Sequence, residues 1–211
     1  MSRIIKINPH HPEEETLHLA SEVIRQDGVI GYPTETVYGL GANIFSAQAV
    51  NRIFEIKGRD RTKPIIVIVA SLEQVWELVT EIPEIGLELI KAFWPGPLTI
   101  VFKASEKVPE SLSGGSKTIA LRIPNSKICL ELLKWCQVPL TSTSANLAGG
   151  PNPLTATAVW DALASRIDLL LDGGPAPSKL PSTVIDVTQV EPQIRRAGAI
   201  EIEKIERIIR P

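Results

Sequence analysis

Between Ile53 and Pro64 the chain reads IFEIKGRDRTKP, with cations on alternate positions at Lys57, Arg59, Arg61 and Lys63. Within that stretch only Glu55 and Asp60 oppose them. Like charges on one short loop repel, so either water screens them as a solvated basic turn or an anion gathers them, most simply a polyphosphate. A second polar concentration lies far downstream, at Thr141-Ser142-Thr143-Ser144-Ala145-Asn146, followed by Gly149-Gly150. Hydroxyls and an amide at the end of a strand make poor core. They suit either a serine/threonine-rich turn or a polar cradle. Arg122, inside the apolar run TIALRI, needs an edge position or an anionic partner.

Several chemistries are missing from the pattern. His10, His11 and His18 all lie near the N-terminus and far from any candidate nucleophilic serine, which disfavours a Ser-His-Asp hydrolase. They pair with no cysteine cluster, so they are expected in solvent and not in a metal site. Neither a P-loop nor a GxGxxG fingerprint after a strand is present. The remaining set of cations, hydroxyls, one amide and glycines binds and orients anions, and stabilises charge by fixed electrostatics instead of shuttling protons. Nucleotidyl transfer fits it, because the attacking group can already be anionic and Mg²⁺ can arrive on a triphosphate.

The elements that must hold these residues alternate between helical and strand periodicity, which argues an α/β fold. Pro12 and Glu13 to Glu15 open a first helix, with an apolar stripe of Leu17, Ala20, Val23 and Ile24 and a C-terminal cap at Gly28. Val29 to Tyr32 reads as a strand ending at Pro33-Thr34-Glu35-Thr36. The following Val37-Tyr38-Gly39-Leu40-Gly41 is glycine-rich enough to suggest close approach of a ligand or another backbone. Ser46 caps a helix striped by Ala49, Val50, Ile53 and Phe54; Lys57 falls at its end and Gly58 breaks it. Ile65 to Ala70 has the pattern of a strand buried on both faces, and Ser71 with Gln74 forms a capping box. A helix from Pro83 stops at Trp94-Pro95, followed by a strand through Leu98, Ile100 and Phe102. Ser111 to Lys117 reads as a mobile loop, Thr118 to Ile123 as a strand, and Asn125 as the cap of a helix bearing Ile128, Leu132 and Leu133. Leu154 to Ala164 reads as helix, Asp168 to Leu171 and Ser182 to Val187 as strands, and Ile200 to Ile209 as a last amphipathic helix.

Composition bounds the rest. With 211 residues, 44% of them hydrophobic, the chain can build one well-cored domain, expected over 1–211 with its core at about 14–200. A formal net charge of -2 gives no global basic field, so an anion site must be local. The opening MSRIIKIN lacks the apolar core of a leader, and no run of about 18 apolar residues suggests a membrane span. Cys129 and Cys136, placed near one helix face, read as reduced core thiols of a cytoplasmic protein.

Three segments taken together, Pro33-Thr34-Glu35-Thr36-Val37-Tyr38-Gly39-Leu40, Lys57-Gly58-Arg59 and Ser144-Ala145-Asn146, resemble the Sua5/YciO/YrdC family, whose signature is KxR followed much later by SxN. The similarity runs from about Glu14 to Ile200. It implies a YrdC-like fold, a twisted mixed β-sheet flanked by helices with a concave cationic cleft. The implied activity is that of an L-threonylcarbamoyladenylate synthase, a nucleotidyltransferase. It condenses L-threonine, bicarbonate and ATP into threonylcarbamoyl-AMP and pyrophosphate, for the t6A37 modification of tRNA. Mg²⁺ would be carried with ATP, and the product handed to the tRNA threonylcarbamoyl-transfer machinery. By the same resemblance Thr34, Arg122, Ser142 and Ser182 would bind threonine. Lys57, Arg59, Arg61, Lys63, Thr118, Ser144, Asn146 and Arg196 would contact the nucleotide, with Lys57, Arg59, Ser144 and Asn146 central to catalysis.

The sequence departs from the family pattern at Asp60, Lys63-Pro64, Ala148 and Ala197. These leave room for a paralogue of the YciO type. A double-stranded RNA-binding module is a further alternative, with the low aromatic content of 5% against it. A carbamoyl-transferring domain of the hydrogenase-maturation type is disfavoured by the absence of acylphosphatase and zinc-finger segments.

Overall fold

In the computed structural model, which describes residues 3–210, the elements run β1 (Arg3–Lys6), α1 (Glu14–Arg25), β2 (Ile30–Tyr32), β3 (Gly39–Gly41), α2 (Ala47–Lys57), β4 (Ile66–Ile68), α3 (Leu72–Leu78), α4 (Glu84–Phe93), β5 (Leu98–Lys103), α5 (Glu110–Ser113), β6 (Thr118–Arg122), α6 (Lys127–Cys136), β7 (Leu140–Thr141), β8 (Thr143–Ser144), α7 (Ala156–Leu163), β9 (Leu169–Asp172), β10 (Thr183–Asp186), β11 (Gln193–Arg196) and α8 (Ile202–Ile209). Part of the MSRIIKIN reading, at Met1 and Ser2, lies outside the described residues. No helix among the described residues is long and apolar enough to cross a membrane.

The α/β class holds, but the strands form two mixed sheets where one was expected. Five strands run in the order β1-β9-β2-β3-β8 and six in the order β11-β10-β5-β6-β4-β7. The chain changes sheet at Ser142. Before it, β7 pairs antiparallel with β4 in the larger sheet. After it, β8 pairs antiparallel with β3 in the smaller one. The Ser142 backbone N–H donates to the Ile66 carbonyl at 2.7 Å, which keeps the crossing residue against the larger sheet. The hydroxyl-rich run therefore lies at the seam between sheets, with Thr141 and Thr143 buried and Ser142 and Ser144 left half-buried.

β4 is an interior strand, parallel to β6 and antiparallel to β7, which accounts for its apolar run. The larger core gathers Leu40, Ile53, Phe54, Ile100 and Leu121. A second joins Leu17 and Ile24 of α1 to Leu132 and Leu133 of α6, with Tyr32 and Leu140 beneath. Cys129 and Cys136 belong to that second core as free thiols, and burial pushes both up to about 12. All three histidines are exposed.

Several local expectations are corrected. The left-handed residue ending α1 is Asp27 (φ 59°), not Gly28. Asp27 N–H bonds the Ile24 carbonyl and Gly28 N–H bonds the Val23 carbonyl, a Schellman pair. Gly28 is needed for room: a Cβ there would lie 2.5 Å from the Val23 carbonyl oxygen. In α3 the capping box is displaced, since Gln74 Oε1 accepts from Ala70 N–H and Ser71 makes no side-chain cap bond. Ser126, not Asn125, caps α6 by accepting from Cys129 N–H. The stretch expected as a mobile loop begins inside α5, whose Leu112 is buried. In β3 the close approach is an aromatic ring: a Cβ on Gly41 would lie 2.7 Å from Tyr32 Cε1.

Candidate active site

A cleft opens over the seam. Three arginines reach it from three elements: Arg59 from the turn after α2, Arg122 from the end of β6, and Arg196 from the end of β11. Between them stand hydroxyls at Thr34, Thr36, Ser142, Thr143, Ser144 and Ser182. Loss of hydration, reinforced by Arg122 and Arg59, holds the Arg196 guanidinium below its ordinary value. Burial lowers that of Arg59 as well. Guanidinia that converge on one partly desolvated cleft suit an anion.

The turn after α2 separates Lys57 from Arg59. Gly58 adopts the left-handed conformation (φ 59°), with Arg59 N–H bonding the Phe54 carbonyl, so the helix ends in a glycine cap as expected. Lys57 stays on the buried side, 3% exposed. Its ammonium donates to the Ser144 carbonyl (2.6 Å), the Asn146 carbonyl (2.9 Å) and Asn146 Oδ1 (3.0 Å). A lysine has three N–H donors, and all three are taken up by protein oxygens. Burial, then the neighbouring charge of Arg59, pull this ammonium down to about 8. Arg59 turns the other way. Its Nη2 donates to the Pro64 carbonyl at 2.9 Å, and its buried Nε has no partner among the described residues.

Asn146 is likewise committed to the protein. Its Oδ1 accepts from Ser144 Oγ (2.7 Å) as well as from Lys57, and its Nδ2 donates to the carbonyls of Gly150 and Pro151. The KxR and SxN segments are thus joined behind the cleft wall, with Ser144 in the wall and Asn146 beneath it. Ala148 contributes only its backbone N–H, to the Lys57 carbonyl, so its small side chain loses no contact there.

The remaining expected residues divide in two. Thr34 folds its turn, donating to the Val37 carbonyl (2.7 Å) and accepting from Thr36 N–H (3.0 Å). Ser182 is buried, shares a 2.8 Å bond with Thr99 Oγ1, and its carbonyl accepts from both Nε and Nη2 of Arg196. Gly198 lets that strand close: a Cβ would lie 2.4 Å from the Pro181 carbonyl oxygen. Arg122 is 4% exposed, donates from Nη1 to Thr36 Oγ1, and pairs with Glu35 at 2.6 Å.

By contrast Lys57, Arg61, Lys63, Thr118 and Asn146 are not among the residues lining the cleft. Arg61 packs over the Phe54 ring, 5.8 Å from its centroid, and bonds Asn51, while Lys63 points into solvent. Asp60 organises that turn, accepting from Thr62 N–H and Lys63 N–H. Thr118 shares strand face with Arg122 by alternation, four residues back, and bonds Ser116.

Sequence reasoning did not single out Thr36, Asn152 and Pro181 as site residues, nor Glu35 as the partner of Arg122. The signal for Thr36 and Glu35 was their place in the Pro33–Thr36 turn and in the segment that carries the family resemblance. Asn152 and Pro181 carried none.

Fold and cleft define an α/β protein in which three arginines and a set of hydroxyls meet at the seam of two sheets. The family model Sua5_yciO_yrdC, described as "Telomere recombination", matches residues 22–198, and the chain belongs to the Sua5/YciO/YrdC family. It is 43% identical over 197 residues to a threonylcarbamoyl-AMP synthase of Pyrococcus abyssi, covering 93% of this chain and 58% of that protein. The chain thus spans little over half the length of that relative. Among solved structures it resembles P. abyssi Sua5 complexed with L-threonine, with a TM-score of 0.95 at 42% identity over 99% of this chain and 61% of that one. It also resembles Escherichia coli YciO, with a TM-score of 0.89 at 29% identity over 97% of this chain and 100% of that one.

Proposed function

We propose that this chain is an L-threonylcarbamoyladenylate synthase. The observation that carries the reading is the convergence of Arg59, Arg122 and Arg196 on one hydroxyl-lined cleft. Support comes from relatives named for this activity and from the greater identity to the threonine-bound Sua5 structure (42%) than to YciO (29%).

The chemistry joins two anions. The amine of L-threonine takes up CO₂ from bicarbonate to give N-carboxythreonine. Its carbamate oxygen attacks the α-phosphorus of ATP, the P–O bond to the β-phosphate breaks, and pyrophosphate leaves. Bringing two unit charges to about 4 Å costs about 4 kcal/mol at an effective dielectric near 20, which the guanidinia offset. Arg59, with donors left over, faces the phosphates. Arg122 takes the threonine carboxylate beside Thr34, Ser142 and Ser182, while Arg196 and Ser144 meet the nucleotide.

Lys57 and Asn146 act through the turn they hold, not by touching phosphate. Arg61, Lys63 and Thr118 lie farther out and contribute at most long-range charge or an outer nucleotide contact. Mg²⁺ accompanies ATP as part of the substrate. The product passes to the enzymes that threonylcarbamoylate tRNA in the cytoplasm.

Pyrophosphate release, measured with each substrate omitted in turn, tests the reading. Release that requires ATP, L-threonine and bicarbonate together is the expected result. Salt-sensitive binding of double-stranded RNA without such release would replace the synthase with an RNA-binding module. Neither activity would point to a paralogue of the YciO type.

A further inference from the structure

A guanidinium nine-tenths buried inside a sheet is costly unless it is paired. Among the described residues Arg122 pairs with Glu35, whose Oε2 lies 2.6 Å from Nη2. The other carboxylate oxygen, Oε1, accepts the Asn125 backbone N–H at 2.9 Å. Glu35 therefore ties the turn after β2 both to the end of β6 and to the residue leading into α6. It does so from outside the candidate active site. Glu35 lines a neighbouring hollow with Asn125, Ser126 and Lys127, which meets the cleft at Thr34, whereas Arg122 lines the cleft.

The pair is incomplete as a hydrogen-bonded unit. Nη1 donates to Thr36 Oγ1. Nε and Nη2 of Arg122, and Oε2 of Glu35, are buried without an aligned hydrogen-bond partner among the described residues. Arg122 nevertheless lines the cleft, so a guanidinium held by charge from one side is oriented for a planar acceptor on the other. A carboxylate satisfies two guanidinium donors at once.

We propose that Glu35 is the positioning residue of this site: from behind the wall, its carboxylate aims the Arg122 fork at a substrate carboxylate and so sets affinity for the amino-acid substrate but not for the nucleotide. This rests on the synthase reading for the identity of that substrate. The aiming of Arg122 does not. The role differs from a general structural one, because loss of a merely structural residue would weaken both substrates together with stability.

Two variants test it. Glu35→Gln keeps the size and removes the charge; Glu35→Asp keeps the charge and withdraws it by one methylene. Without ligand, proton exchange at Arg122 Nε, assigned by its disappearance in Arg122→Lys, is expected to be slow in the unmodified chain. It should speed at least tenfold in Glu35→Gln and by an intermediate amount in Glu35→Asp. In turnover, the KM for L-threonine should rise about tenfold in Glu35→Gln while the KM for ATP stays within twofold, with partial rescue in Glu35→Asp. Unchanged exchange, or equal increases in both KM values, overturns the proposal. Should the unmodified chain fail to use L-threonine while exchange responds as expected, the positioning role stands and the synthase reading falls.

Discussion

Lys57 and Arg59 are two residues apart in one basic stretch, and the glycine between them sends them to opposite sides of the same wall. Behind the wall, the Lys57 ammonium is saturated by Ser144 and Asn146 and organises their turn. In front, Arg59 faces the cleft with a buried Nε that no protein atom among the described residues satisfies. Both carry a positive charge, Lys57 buried and Arg59 half-buried. The difference that matters for binding is whether any donors are left over. A buried cation with none left is architecture, and one with donors to spare is a recognition element.

The sharpest way to break this comparison is Arg59→Gln. If Arg59 stabilises developing charge on the transferring phosphate, pyrophosphate release should fall 10²–10³-fold, about 3–4 kcal/mol in the barrier, the scale seen when one preorganised donor is lost. Denaturant stability should move by less than about 0.5 kcal/mol, since the Pro64 carbonyl is the one hydrogen-bond partner of its side chain among the described residues. A stable variant with unaltered turnover would put Arg59 on the architectural side.

Lys57→Met should do the reverse. It leaves the Asn146 carbonyl without a partner and takes one of two donors from the Ser144 carbonyl and from Asn146 Oδ1, and at about 1–3 kcal/mol for a buried group left unpaired stability should fall by about 2 kcal/mol. Amide exchange at residues 144–150 should rise even without substrate. Unchanged exchange there would show that the lysine does not hold the turn. Lys57 also gives the comparison a pH signature. Its ammonium is drawn from the ordinary 10.5 to about 8, so between these values the unfolded chain binds the extra proton. The stability linked to this group is fully present above about 10.5 and is lost as pH falls through about 8. Stability of the unmodified chain minus that of Lys57→Met, followed by urea titration from pH 7 to 10.5, should therefore change with pH over that window and be flat below it.

How much of this could be read in advance varies by residue. The Ser46 cap, the glycine stop at Gly58 and the apolar run of β4 are local rules, and the structure follows them. The sheet change at Ser142 is not local. It depends on which strands β7 and β8 find, and two-residue strands carry no periodicity. The same limit explains Lys57 and Asn146. Their types and order marked them as site residues, but their mutual bonds span 89 positions and only the fold shows that they face each other. Glu35 was hidden for a similar reason: an isolated carboxylate shows its partner only once β6 is placed beside its turn. Asn43, bridged to Leu140 at the seam, gave no sign at all.

Smaller changes refine the boundary between the two sides. Gly58→Ala meets open space, with nothing within 4 Å of the added Cβ, so its cost is the left-handed backbone alone, about 1 kcal/mol. Thermal unfolding should register that loss. Turnover should drop only as far as the hinge between Lys57 and Arg59 shifts. A drop beyond tenfold would mean that the two sides are coupled more tightly than their separate bonds suggest.

The smallest effect belongs to the outer half of the basic stretch. Arg61 rests on Phe54 and Asn51, and Lys63 stands in solvent on a turn built by Asp60, so neither has a buried donor to offer. Exposed charges of this kind are worth a few tenths of a kcal/mol and are screened by salt. Arg61→Ala with Lys63→Ala should therefore leave stability within about 0.5 kcal/mol and turnover within about threefold at 0.15 M salt, with a somewhat larger loss at low salt. Were the double variant to lose activity as Arg59→Gln is expected to, all the charges after Gly58 would act as one recognition surface, and open donors would no longer be the property that separates the two sides.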